Sequence, residues 1–180
     1  MKRIVILLIA ILCLALYASA QDGTDVSPDG QTRLPAGVLT WDKYGLYLTL
    51  SGESVLTCNE DFNQTIEMDD LIVDVLVLDR LTYSDRQLGE CVIEALKTYE
   101  VPIAEVHGGP ISPNDKGIKG VSTYGPGKVG DTPATIGVVC LLDPDTSLAF
   151  LVMVLGVEES AVHEVCGSLG ISTPQEHKVR

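Results

Sequence analysis

The chain has 180 residues, enough for one domain with a sizeable core, and carries 25 acidic against 12 basic side chains for a formal net charge of −13. A surface this acidic repels nucleic acid and anionic lipid, and it favours solubility and cationic partners.

The N-terminus has the three parts of a secretory signal peptide. Lys2 and Arg3 form a basic start, residues 4–17 are uninterruptedly apolar, and Ala18-Ser19-Ala20 is an A-x-A cleavage site. The apolar run falls short of the roughly 20 residues that span a bilayer. Residues 1–20 are therefore expected to be removed, taking Cys13 with them and leaving a more acidic mature chain with no integral membrane span. The expected location is secreted, either extracellular or at the cell surface.

Residues 21–36 are polar and rich in Gly, Ser, Thr and Pro, the composition of a flexible arm. A single domain is expected over 37–171. Leu46, Leu48 and Leu50 alternate with Tyr47 and Thr49, a strand period. Trp41 and Tyr44 flank an expected turn at 42–45, and 54–58 reads as the return strand of an N-terminal β-hairpin. Residues 59–70 read as acidic and irregular. Residues 71–78, LIVDVLVL, form a near-continuous apolar run typical of a strand buried on both faces, with Asp74 the exception.

Ser84 and Gln87 make a capping-box pattern. Leu88, Cys91, Val92, Ala95, Leu96 and Tyr99 follow at helical spacing, and Pro102 ends the helix. Residues 107–133 are rich in Gly and Pro without apolar period and read as one long loop. It holds His107, Lys116, Lys119 and Lys128, a basic cluster in an acidic chain and a candidate binding loop. Residues 134–142 and 148–157 read as a hairpin around Asp143-Pro144-Asp145-Thr146. A second helix is expected over 158–169, and 172–180 is a polar tail.

This order predicts an α+β fold. One mixed, mostly antiparallel sheet carries two helices packed on one face, ferredoxin-like in layout only, with the N-terminal β-hairpin added. Four cysteines, Cys58, Cys91, Cys140 and Cys166, remain after cleavage, and an even number in an exported chain predicts two disulfides. With both helices on one face, the expected pairs are Cys91–Cys166 and Cys58–Cys140. Asn63-Gln64-Thr65 is a glycosylation sequon.

The catalytic motifs are incomplete. His107-Gly108-Gly109 matches an esterase oxyanion loop, but no G-x-S-x-G elbow accompanies it. Lys128 follows glycines as in a phosphate loop, yet the flanking pattern fails. Glu159, His163 and Cys166 share one side of the second helix, where carboxylate, imidazole and thiolate suit a metal such as zinc. With no fourth ligand evident, the same spacing describes a surface Glu–His pair beside a disulfide cysteine. Asn59, Asp61, Asn63 and Asp70 echo a calcium loop that lacks its glycine and final Glu. No cofactor is called for.

The expectation is therefore an exported, non-enzymatic binding or assembly domain with a protein partner or self-association. The alternatives are a small hydrolase using His107 with Asp74 or a metal near His163, and a calcium-stabilised surface module.

Overall fold

The computed structural model describes residues 32–78, 85–111, 118–143 and 148–171. The expected signal peptide, most of the expected arm, Ser84, Lys116, residues 144–146 of the expected turn and the expected tail lie outside them. Eleven strands and two helices are described. In chain order they are β1 (Thr32–Leu34), β2 (Gly37–Trp41), β3 (Leu46–Leu50), β4 (Ser54–Glu60), β5 (Asn63–Met68), β6 (Leu71–Leu78) and α1 (Asp85–Thr98). There follow β7 (His107–Ile111), β8 (Lys119–Val129), β9 (Thr132–Asp143), β10 (Leu148–Gly156), α2 (Glu159–Ser168) and β11 (Gly170–Ile171).

Eight strands form the main sheet in the order β1-β4-β5-β6-β10-β9-β8-β7, and β11-β3-β2 form a small second sheet. Every described pairing is antiparallel. The fold is thus α+β, a mostly antiparallel sheet with two helices.

The helices do not share a face. Alternate residues of β9 point to opposite sides of the sheet. Ile136, Val138 and Cys140 pack with Leu88, Val92 and Leu96 of α1. Val139 and Leu141 pack into the other core, with Val162, Val165 and Cys166 of α2. Leu46, Leu48 and Leu50 of the small sheet join that second core, which is built round the fully buried Phe150. The expectation of both helices on one face is corrected accordingly. The apolar run of β6 is long enough to be covered from both sides, and the chain covers both.

The N-terminal hairpin differs as well. Strand β3 pairs with β2 and β11, while β4 turns away into the main sheet beside β1 and β5. The turn at 42–45 joins β2 to β3, where the Tyr44 and Gly45 N–H groups both donate to the Trp41 carbonyl. Gly45 has φ +69°, a left-handed value that glycine adopts without strain. Thr32–Leu34, part of the expected arm, is a strand paired to β4.

The largest correction concerns the expected loop at 107–133, whose described residues form β7, β8 and the start of β9. The glycines there serve close approach, not mobility. A Cβ on Gly127 would lie 2.7 Å from Ile136 Cγ1 and 2.8 Å from the Tyr99 carbonyl oxygen. One on Gly120 would lie 2.6 Å from Leu141 Cδ2. Pro126 sits where β8 has extended past β7, so its missing N–H costs no pairing on that side. The chain just after α1 presses on Gly125 and Gly127: Glu100 takes a left-handed φ of 57°, Val101 N–H reaches back to the Leu96 carbonyl, and Lys128 N–H donates to the Tyr99 carbonyl.

Candidate functional site

Tyr124 stands mid-strand in β8, opposite Gly137 of β9 and His107 of β7. Its side chain is on the α2 side of the sheet, where the helix presents His163. The three rings form one stack. His107 and Tyr124 centroids are 5.6 Å apart at 38°, and Tyr124 meets His163 edge-on at 5.3 Å. Such tilted and T-shaped contacts suit the negative face and positive edge of aromatic rings. Tyr124 and His163 line a groove of about 450 Å³ bounded by Gly109, Ile111 and Ser122 on the strand side and Cys166, Gly167 and Leu169 on the helix side, and His107 stacks on Tyr124 beside it. Both histidines are exposed, while Tyr124 is half-buried between them.

Gly108 shapes the groove wall. Its φ is +124°, and a Cβ there would collide with the Ser122 carbonyl oxygen. Only glycine lets β7 lie this close to β8. A larger hollow of about 540 Å³ lies between the ends of β4 and β5 and helix α2. It is bordered by Glu53, Glu67, Asp69 and Asp70 with Arg33, and holds neither histidine nor cysteine.

Both histidines of the stack stand out in the sequence, but the residue that joins them does not. Tyr124 is hidden there by glycines and a proline that read as loop. The alternation of Val121 and Thr123 with Ser122 and Tyr124 is the signal that could have found it.

His107 has no catalytic carboxylate in Asp74. Asp74 is on β6, separated from β7 by β10, β9 and β8, and opposite Met153 on the α1 side. It accepts a hydrogen bond from Thr65 Oγ1 at 2.7 Å. Burial raises its pKa, the Thr65 bond opposes that, and Glu67 adds to the rise. Nearby Tyr99 is pushed up to about 12, by burial first and then by Asp74.

The metal candidates on α2 separate. Glu159 and His163 face solvent, whereas Cys166 is buried and its thiol is pushed up to about 12 by burial. A thiol so protonated at neutral pH is neither a ready nucleophile nor a ready metal ligand. Tyr124 also stands between the two histidines, so they do not converge on one ion. Among the described residues no group of three or more His, Cys, Asp or Glu side chains is placed to hold a metal.

The calcium spacing is dispersed by a hairpin. Asn59 Oδ1 accepts from Gln64 Nε2 at 2.9 Å, and Asp61 pairs with Lys43 at 3.0 Å. Asp70 lies past the far end of β5, about 20 Å away at the usual strand rise. The Asn63 sequon begins β5 at the tip of this hairpin, beside the exposed Phe62.

All four cysteines are thiols in this structure. The expected Cys91–Cys166 bridge is excluded by the sheet, because Cys91 packs on the α1 face and Cys166 on the other. Cys58 and Cys140 lie four strand steps apart, roughly 19 Å along the sheet. The basic cluster also disperses: Lys128 pairs with Glu100 at 3.4 Å, while Lys119 begins β8 at the opposite end of the strand. Among the described residues no helix is long and apolar enough to cross a membrane.

No family model matches the chain, and no curated protein matches it. Among solved structures it is similar to that of a mutant of the protein Mog1, at a TM-score of 0.49 and 8% sequence identity, over 79% of this chain and 99% of that one.

Proposed function

We propose that this chain is an exported, non-enzymatic binding domain acting at the cell surface or outside the cell, with the groove lined by Tyr124 and His163, and His107 stacked beside it, as its ligand surface. The ring stack carries this reading. Tyrosine and histidine present an apolar face and a polar tip, and tyrosine is enriched where proteins meet partners. The three rings rest on two paired strands and a helix, so little order is lost when a ligand docks. The groove also lacks the parts of a hydrolase: its cysteine is buried and protonated, and its histidines have Tyr124, not a carboxylate, between them. The ligand class that fits is a protein segment offering an aromatic or apolar side chain. Addition of a strand to β7 is disfavoured, because Pro110 and Gly108 blunt that edge.

Export rests on the leader at residues 1–20, and the acidic exterior suits a soluble life outside the cell. A glycan on Asn63 would sit on the hairpin tip, clear of the groove.

Site-specific photo-crosslinking in the producing cells tests the proposal. A photoreactive side chain replaces His107 or His163, with Phe62 as a control site. Cross-links to one protein partner, or to a second copy, from the groove positions and not from Phe62 support it. A mature protein that begins at Gln21 supports export. Cross-links confined to Phe62, or a chain retained uncleaved in the cytoplasm, overturn it.

A further inference from the structure

Cys140 lies in the second half of β9, opposite Val121 of β8 and Leu151 of β10. With neighbours on both sides its side chain has one direction to go, toward α1, and it is fully buried there. Helix α1 lays Leu88, Val92, Ala95 and Leu96 on the same patch, and Cys91 is at the margin of that stripe, half-buried. Both thiols thus belong to one packed patch across the helix–sheet interface, close enough for Cys91 to act on the Cys140 thiol. Neither remaining cysteine shares this patch: Cys58 belongs to β4, and Cys166 packs beneath α2 on the other face.

We propose that Cys91 and Cys140 form a disulfide that fastens α1 to the centre of the sheet when the chain meets a thiol-oxidising environment. The oxidant is a disulfide, such as oxidised glutathione or a disulfide-exchange protein. Cys91, the more accessible thiol, loses its proton and attacks one oxidant sulfur, expelling the other as a thiolate. Cys140 then loses its proton and attacks Cys91 Sγ, releasing the second oxidant thiol. One S–S bond is consumed and one formed, two protein thiols are oxidised, and the oxidant gains the two electrons and both protons. The Cys140 thiol is held above the ordinary thiol range by its contact with Cys91 and by burial. Closure to the S–S distance of about 2.05 Å joins two side chains that already share one packed patch.

The inference does not depend on the groove, and it is tested without any ligand. The mature chain, purified reduced, is incubated with oxidised glutathione, alkylated and digested under non-reducing conditions. The expected product is lighter than the reduced chain by two hydrogen atoms, with the Cys91 and Cys140 peptides joined. Its thermal midpoint should rise by roughly 5–15 °C, and fall back on reduction. Cys91→Ser should abolish the crosslink, whereas Cys58→Ala should leave it in place. Because Cys91 is at the helix margin, its serine variant is expected to fold. The wild-type digest decides the matter even if a variant does not. A glutathione adduct on Cys91 that never resolves, a joined pair involving Cys58 or Cys166, an intermolecular dimer, or four alkylated thiols would each overturn the proposal.

Discussion

Gly137 lies directly beneath Cys166, and the absence of a side chain there is what lets α2 rest on the sheet. A Cβ on Gly137 would be 2.5 Å from Cys166 Sγ and 2.7 Å from Val162 Cγ1. Both distances are far inside van der Waals contact, so the helix must move to admit a methyl group. Gly156 does the same one strand away, with Val162 Cγ2 3.0 Å from its hypothetical Cβ.

Gly137→Ala is therefore expected to destabilise the fold by about 1–3 kcal/mol, the usual cost of overpacking. Urea unfolding measures it as a lower midpoint with an unchanged slope. Because α2 carries one wall of the groove, His163 should also shift relative to Tyr124. A midpoint equal to wild type would show that α2 does not sit as described.

Gly89 is the opposite case. It is inside α1, and a Cβ there meets nothing within 4 Å. Gly89→Ala removes the entropic penalty of glycine in a helix and should stabilise the protein by about 0.5–1 kcal/mol. The same unfolding experiment should show a higher midpoint.

Asp74 predicts a particular pH dependence. Burial raises its folded pKa, so the folded chain holds that proton more tightly than the unfolded one. Its contribution is most favourable below the ordinary aspartate value of about 3.9 and is lost as pH rises through the raised folded value. Asp74→Asn can still accept from Thr65 Oγ1. It should leave acid stability near wild type, raise stability at pH 7, and flatten the fall between those limits. Thermal melts across that pH range check it, and a variant less stable than wild type at pH 7 would count against the burial described.

Tyr124→Leu keeps bulk in the groove but removes the ring shared by His107 and His163. The imidazole proton resonances of both residues should move together, since both lose one ring current, while the third histidine, His177, serves as reference. If only one of the pair moves, the three-ring stack does not persist in solution. In the photo-crosslinking experiment, the same substitution should weaken capture from both groove positions.

Local chemistry was legible along the chain wherever a short pattern had one physical outcome. The run LIVDVLVL spans β6 from Leu71 to Leu78, and the helical spacing from Leu88 to Leu96 gave a stripe that is indeed buried in α1. The turn before Gly45 and the second helix were legible for the same reason. Patterns with two outcomes were not. Glycine marks both mobile loops and places where two backbones touch, and in β8 the neighbours Ile136, Tyr99 and Val101 decide which.

Composition and periodicity thus determined an acidic chain with a leader-like N-terminus, a mostly antiparallel sheet and two amphipathic helices, because these depend on residues near one another in sequence. Only the tertiary structure decided which face each helix covers, since an apolar stripe does not say which side of a two-faced sheet it will meet. That choice separated Cys91 from Cys166, set Cys91 against Cys140, and placed His107, Tyr124 and His163 in one ring stack. Each of these pairings joins residues far apart in the chain, and only the sheet order and the side of the sheet bring them together.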